Sequence, residues 1–408
     1  MPILGVWSTV SAEANRPKVR PMILSRRRAL AALLMATQVP LLVSMAEAEA
    51  TTAHAQTARP ANNIVGLNIA RLMQPRYIWA ASSIANANGG SWGYLTILLT
   101  RDDRDNELSW HQLQQVLDRC YEYKLQPIVR VGTRFDVATG VWERPNESDP
   151  ARWRALFEQV RWPNRTVWIV PANEPNLGRE WGGQVDVPSY VAYLNLFMAT
   201  FADSDTFKVV NAPMNLSNSH QLPHMQDAFD FLAEMASVDS TIFERLPAWA
   251  TNSYKVDGFG DGLRFTHRGY ELELEYIGRD MPVIITETGW LNRRSDEDIA
   301  RFYTQAYKDW QADHRVIAAT PLIWDPDVDD HWMFTFDDAG EVVSTNGGYH
   351  ALRALPRVAG SPHLIAPVAN TPRVSAAAVR TRPLPIFLPD AGSSGGASGA
   401  EIVRTVGP

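Results

Sequence analysis

Val167-Trp168-Ile169-Val170-Pro171-Ala172-Asn173-Glu174-Pro175 is a short apolar run that ends in a polar, proline-bounded turn. Val283-Ile284-Ile285-Thr286-Glu287-Thr288-Gly289-Trp290 repeats the design. Aliphatic and β-branched residues without polar alternation describe strands buried on both faces, as in a parallel sheet. Working outward, six more runs share the pattern: Ile64 to Ile69, Tyr94 to Leu99, Pro127 to Val131, Lys208 to Ala212, Ala248 to Ser253 and Ala318 to Trp324.

Amphipathic stretches separate these runs and carry helix-start signals. Ser109 with Gln112 reads as a capping box before a helix over Trp110 to Tyr123. Asp149-Pro150 reads as an N-cap ahead of a first-turn proline. Ser295 precedes Asp296, Glu297 and Asp298, acidic residues that suit a helix N-terminus. Ile299, Phe302, Tyr303, Ala306, Tyr307 and Trp310 then recur at helical spacing. Eight strand–helix units of about 37 residues each predict one (β/α)8 barrel domain, of the TIM-barrel type, within residues 56–358. The rival, a doubly wound open sheet, wants a glycine-rich phosphate loop after its first strand, and none is present.

The flanks differ in character. Ser25-Arg26-Arg27-Arg28 precedes an apolar run from Ala29 to Ala46, followed by the small-x-small sites Ala46-Glu47-Ala48 and Ala53-His54-Ala55. Residues 1–55 therefore read as a cleaved export signal, its arginines resembling a twin-arginine leader. A retained anchor is the alternative. Residues 359–408, rich in Pro, Ala, Gly and Ser, are predicted to stay disordered, because they bury too little apolar surface to offset ordering entropy.

Composition excludes more than it proves. The chain has 408 residues and a net charge of -7, with no concentrated basic face for nucleic acid. Its single cysteine, Cys120, rules out an intrachain disulfide and reads as a buried thiol. The acidic stretch Asp325 to His331 lacks the glycine and terminal glutamate of a calcium loop. No metal or cofactor is expected. His224, His267 and His314 show no ligand spacing and read as surface residues.

Glu174 and Glu287 close the fourth and seventh strands. Catalytic groups of such barrels sit at strand C-terminal ends, and these two strands lie nearly opposite on an eight-strand ring. A carboxyl pair spaced at about 5 Å suits glycosidic cleavage with retention: one protonates the leaving oxygen while the other attacks the anomeric carbon. The Glu287 charge should raise the pKa of Glu174 and keep it protonated. Asn173 and Tyr254 are expected as donors to Glu287, and Pro175 is expected to hold Glu174 in an extended backbone.

Asn-Glu-Pro at a fourth-strand end and Thr-Glu-Thr-Gly-Trp at a seventh-strand end together resemble the clan A retaining glycoside hydrolases, the cellulase-like barrels. That resemblance, covering Ile64 to about Leu355, implies Glu174 as general acid/base and Glu287 as nucleophile. It also implies Asn173 on the sugar 2-hydroxyl, Tyr254 against the nucleophile and Trp324 as floor of the catalytic subsite. Two features depart from it. Strand six reads Asn252-Ser253-Tyr254 where His-x-Tyr is common, and the usual second-strand arginine is replaced by Arg101 just beyond that strand or by Arg130 in strand three. With 14 tryptophans in the chain, Trp142, Trp181 and Trp290 on strand-to-helix loops are candidates to stack on sugars. The implied partner is an oligo- or polysaccharide. A non-catalytic carbohydrate-binding barrel and a transglycosylase are the competing readings, and sugar, linkage and oligomeric state stay open.

Overall fold

A computed structural model describes residues 61–69, 75, 78–256, 262–290, 295–322, 334–336 and 342–365. Its frame is eight parallel strands: β1 (Gly66–Asn68), β2 (Gly93–Leu99), β3 (Leu125–Val131), β4 (Val167–Val170), β5 (Phe207–Val209), β6 (Trp249–Asn252), β7 (Val283–Glu287) and β8 (Val316–Ala319). β1 to β5 pair in chain order, and so do β6 to β8.

Two seams join these half-sheets into a ring. At the β8–β1 seam the backbone does the work: Ala319 N donates to Ile64 O and Asn68 N to Pro321 O, each at 2.8 Å. At the β5–β6 seam a side chain stands in for a strand. Asn211 Nδ2 donates to Ala250 O and Ala250 N donates to Asn211 Oδ1, both at 2.8 Å. An amide carries the donor and acceptor of a peptide group, so it can complete a ladder where the backbone has turned away. Beyond it a parallel bridge pairs Asn215 with Asn252.

Among the described residues, eight helices of two turns or more follow the strands: α1 (Ile78–Ala85), α2 (Glu107–Glu122), α3 (Asp149–Gln159), α4 (Val187–Thr200), α5 (Ala228–Val238), α6 (Gly269–Ile277), α7 (Asp296–Ala312) and α8 (Gly347–Ala354). This alternation around a closed parallel ring is the (β/α)8 barrel. Strand alternation divides the core. Tyr94, Ile128, Val170, Val210, Ala250 and Ile284 fill the lumen. Leu95, Val129, Ile169, Val209 and Ile285 face outward into the layer shared with the helices. Both faces are buried, which is why the strands read as unbroken apolar runs.

α7 shows how its sequence specifies its place. Ser295 caps it, Oγ accepting from Asp298 N at 3.2 Å. Phe302, Tyr303, Ala306, Tyr307 and Trp310 are buried on one face, each large side chain stabilising the fold by about 2 kcal/mol. Gly347 opens α8 against its first turn; a Cβ there would sit 2.0 Å from Asp296 O, so only glycine fits.

Several local expectations are corrected. The cap of α2 is Asn106, whose side chain accepts from Leu108 N, and Ser109 is buried inside the helix. Asp149 is the first residue of α3 rather than its cap. Its carboxylate is spent on Arg101, at 2.8 Å, and Arg104, at 2.5 Å. β8 starts two residues before the predicted run. His267 is half-buried rather than superficial, with Nε2 2.7 Å from Asp309 and its ring against Trp310. Cys120 is buried, and burial pushes its thiol up. Trp324, the signal segment, the acidic stretch and most of the tail lie outside the described residues. Among those described, no helix is long and apolar enough to cross a membrane.

Glu273 on α6 is fully buried, and its Oε2 accepts from Thr251 Oγ1 at 2.5 Å. Burial lifts its carboxyl to about 8 against the pull of Thr251. The folded chain thus resists its ionisation. Stability from this group is complete below its ordinary value of 4.5 and declines as pH rises to about 8. Glu273→Gln is expected to raise Tm by about 5 °C at alkaline pH and to leave it unchanged at about pH 4. Thermal melts at the two pH values check this; an equal shift at both would remove titration as the cause.

Candidate active site

The C-terminal ends of β3, β4, β6 and β7, with the loops that follow them, enclose a cavity of about 640 Å³. Arg130, Asn173, Glu174, Asn252, Tyr254 and Glu287 all line it. Trp142 lines it too, from a short hairpin (Phe135–Asp136 with Val141–Trp142) after β3.

Glu287 ends β7 with only 7% of its surface exposed. Arg130 Nη1 donates to its Oε1 and Tyr254 OH to its Oε2, the latter at 3.2 Å. Arg130 shares the inward face of β3 with Ile128, which aims it across the barrel mouth. Burial opposes the guanidinium charge, but Glu287 outweighs it and the net shift is upward. Tyr254 is pushed well up, first by burial and then by Glu287, so its phenol keeps its proton and stays a donor. A guanidinium and a phenol thus each donate to one oxygen of Glu287.

Glu174 is equally buried but differently served. Asn252 Nδ2 donates to its Oε1 and Asn215 Nδ2 to its Oε2, each at 3.0 Å. Neither partner is charged. Burial raises the Glu174 pKa, the Glu287 charge raises it further, and the two amides with Arg179 pull only partly back. A carboxyl held up in this way is available as an acid.

The supporting residues are fixed in turn. Thr286 Oγ1 donates to Asn252 Oδ1 at 2.9 Å, which leaves Nδ2 for Glu174. A bulge at Thr251/Asn252 sets Asn252 level with Glu287 on β7. Asn176 grips the backbone of Asn215 from both sides: Asn215 N donates to its Oδ1 at 3.0 Å, and its Nδ2 donates to Asn215 O at 2.9 Å. Asn173 Oδ1 accepts from Arg130 at 3.2 Å and from Asn252 at 3.3 Å. An unbroken polar chain therefore runs from Glu287 through Arg130, Asn173 and Asn252 to Glu174.

The backbone of Glu174 is not extended. Its φ is +32°, and Leu177 N returns to Glu174 O at 2.8 Å. That tight turn demands a left-handed residue and overrides the bias from Pro175. Positive φ on a glutamate costs about 1–3 kcal/mol, a strain that the surrounding network sustains.

Other expectations divide. Arg130, not Arg101, reaches Glu287; Arg101 is taken by Glu143 and Asp149. Asn173 reaches Glu287 only through Arg130. Trp181 is corrected: its ring is fully buried against Tyr190 and Tyr193 and offers no face to a sugar. Trp290 does not line the cavity either; it packs on Phe302 under the Lys255 ammonium. Sequence reading missed Asn215, Arg179 and Glu180. Asn215 lies just beyond the fifth strand, and that place is its one local signal. Nothing local signals the other two. Among the described residues no group of three or more His, Cys, Asp or Glu side chains is placed to hold a metal ion.

No protein-family model and no curated protein matches the chain. Among solved structures it is similar to a family 128, subgroup II, endo-β-1,3-glucanase from Sorangium cellulosum, at 15% identity and TM-score 0.48 over 72% of this chain and 98% of that one. It is also similar to a glycoside hydrolase family 39 β-xylosidase from Caulobacter crescentus, at 14% identity and TM-score 0.47 over 76% and 74%. A third is the catalytic domain of a family 26 endo-β-1,4-mannanase from Bacillus sp. JAMB-750, at 12% identity and TM-score 0.48 over 72% and 85%. All three are glycoside hydrolases.

Proposed function

We propose that this protein is an exported, retaining glycoside hydrolase that cleaves a β-linked glycan without a cofactor. The observation that carries the reading is the unequal treatment of two buried carboxyls in one cavity. Glu287 is held by a cation and a phenol, whereas Glu174 accepts only from neutral amides and has its pKa raised by burial and then by the Glu287 charge.

In the first step a Glu287 oxygen bonds to the anomeric carbon as the glycosidic C–O bond breaks, and the leaving oxygen takes the proton of Glu174. In the second, Glu174 as carboxylate takes a proton from water while the water oxygen bonds to the anomeric carbon. The ester bond breaks and Glu287 regains its charge. Asn173 Oδ1 is occupied by Arg130 and Asn252, and among the described residues no acceptor meets its Nδ2, which suits a bond to a sugar hydroxyl. Export rests on the arginine-led apolar segment of residues 1–55 alone.

The test uses the chain without residues 1–55, incubated with six-unit oligomers of β-1,3-glucan, β-1,4-mannan, β-1,4-xylan and β-1,4-galactan. Proton NMR should show a first-formed product with the β configuration of the substrate. An α product would sink the double displacement, and binding without turnover would sink the enzyme.

A further inference from the structure

Past Glu174 the chain makes a single 3-10 turn, Gly178–Glu180, and carries a third carboxyl into the cavity wall. The Glu180 side chain is 6% exposed, and Arg179 Nε stands 3.6 Å from its Oε1. That is too long for a hydrogen bond. Among the described residues no donor meets either oxygen.

The turn is rigid, so this arrangement is held in place by the fold. Gly178 N donates to His224 O at 2.6 Å and Gly183 N to Gly178 O at 2.7 Å. A Cβ on Gly178 would stand 2.9 Å from Gly183 O and from Gln184 Cα, which reserves the position for glycine. Trp181, the next residue, anchors the turn in the core. Gly182 N ties it to Trp142 O at 3.0 Å. The Trp142 ring covers the end of β3, 3.5 Å from where Gly132 would carry a Cβ.

A carboxyl fixed on a rigid turn, lining the cavity and accepting from no described side chain, is placed to accept from a molecule bound there. The partner must donate and must fit beside an aromatic face. A carboxyl matches two adjacent hydroxyls of a sugar ring, one to each oxygen, while the ring's apolar face meets an indole. We propose that Glu180 is a substrate-binding residue that accepts hydrogen bonds from two neighbouring hydroxyls of the glycosyl unit held between Trp142 and the catalytic pair. The substrate is then a neutral glycan with those hydroxyls unsubstituted, since a uronate there would set carboxylate against carboxylate. This rests on the glycosidase reading above.

Electrostatics agrees with the geometry. Burial, and next the Glu174 charge, push Glu180 up to about 7. The folded chain resists its ionisation, so stability from this group is complete below the ordinary 4.5 and declines as pH rises to about 7. A group serving the fold would show the reverse on neutralisation.

The experiment compares wild type with Glu180→Gln and Glu180→Ala on the same four oligomers. For the oligomer cleaved, both variants should raise KM about tenfold or more and leave kcat within about threefold. At about pH 8 Glu180→Gln should melt about 3 °C higher than wild type. Unchanged KM, or a lower Tm in Glu180→Gln, overturns the assignment. If wild type cleaves none of the oligomers, the glycosidase reading fails, and titration calorimetry with them still decides Glu180. Binding weakened about tenfold by Glu180→Gln supports it, and unaltered or absent binding overturns it.

Discussion

Glu287→Gln should abolish glycan cleavage, lowering kcat/KM by about 10⁴-fold or more, and should also weaken the fold. The chemical loss follows from replacing an anionic nucleophile by a neutral amide of the same size. The structural loss follows from Arg130, which is buried and spends its charge on Glu287. Removing one partner of a buried pair leaves the other charge uncompensated, at a cost of about 3 kcal/mol. The two effects separate in a double variant. Arg130→Met added to Glu287→Gln should recover much of the stability and none of the activity. Urea melts and oligomer kinetics on the single and double variants measure both. Activity within tenfold of wild type in Glu287→Gln would remove this residue as nucleophile.

Glu174→Ala should be the second most damaging change, and its effect should depend on the leaving group. A sugar alkoxide leaves poorly without a proton, so oligomer cleavage is expected to fall by about 10³-fold. Dinitrophenolate needs no proton. A 2,4-dinitrophenyl glycoside of the same sugar should still react once per enzyme molecule, giving a burst of phenolate before slow turnover. The pH profile should change as well. Burial first, and then the Glu287 charge, hold the Glu174 pKa up, and the acid role needs the protonated form. Wild-type activity on oligomers should therefore fall as pH rises through that pKa. The variant, with no proton there to lose, should be flat on that limb. Equal losses on oligomer and dinitrophenyl substrate would reassign Glu174 to a positioning role.

Much of this was legible in the sequence because strand burial leaves a plain record. Every predicted run holds or overlaps a barrel strand, since a strand covered on both faces tolerates little polarity. Glu174 and Glu287 were visible for the converse reason: each interrupts an apolar run where the strand must end. Caps were misread at α2 and α3 because Ser109 and Asp149 have cap chemistry, yet tertiary partners bury them instead. Trp181 was misread because composition cannot tell a core indole from a cleft indole. Glu180 was invisible because its environment joins the loop after β3 to the loop after β4, which lie far apart in the chain. Arg130 stood in strand three as one of two candidates, but only the crossing of the barrel mouth shows that it, and not Arg101, meets Glu287.

The β5–β6 seam, closed by Asn211 in place of backbone, has a consequence for tolerance. One half of the ring contains Glu174 and Arg130, and the other contains Glu287 and Asn252. Arg130 to Glu287, Asn252 to Glu174 and Asn252 to Asn173 all cross between the halves, as Asn211 to Ala250 does. The bonds that set the reactive groups are thus also rivets of the barrel. In many enzymes a substitution at the centre sheds strain and hardens the protein. Here single substitutions along this chain of side chains should cost rate and rigidity together, and stability should return only when the buried partner is replaced as well.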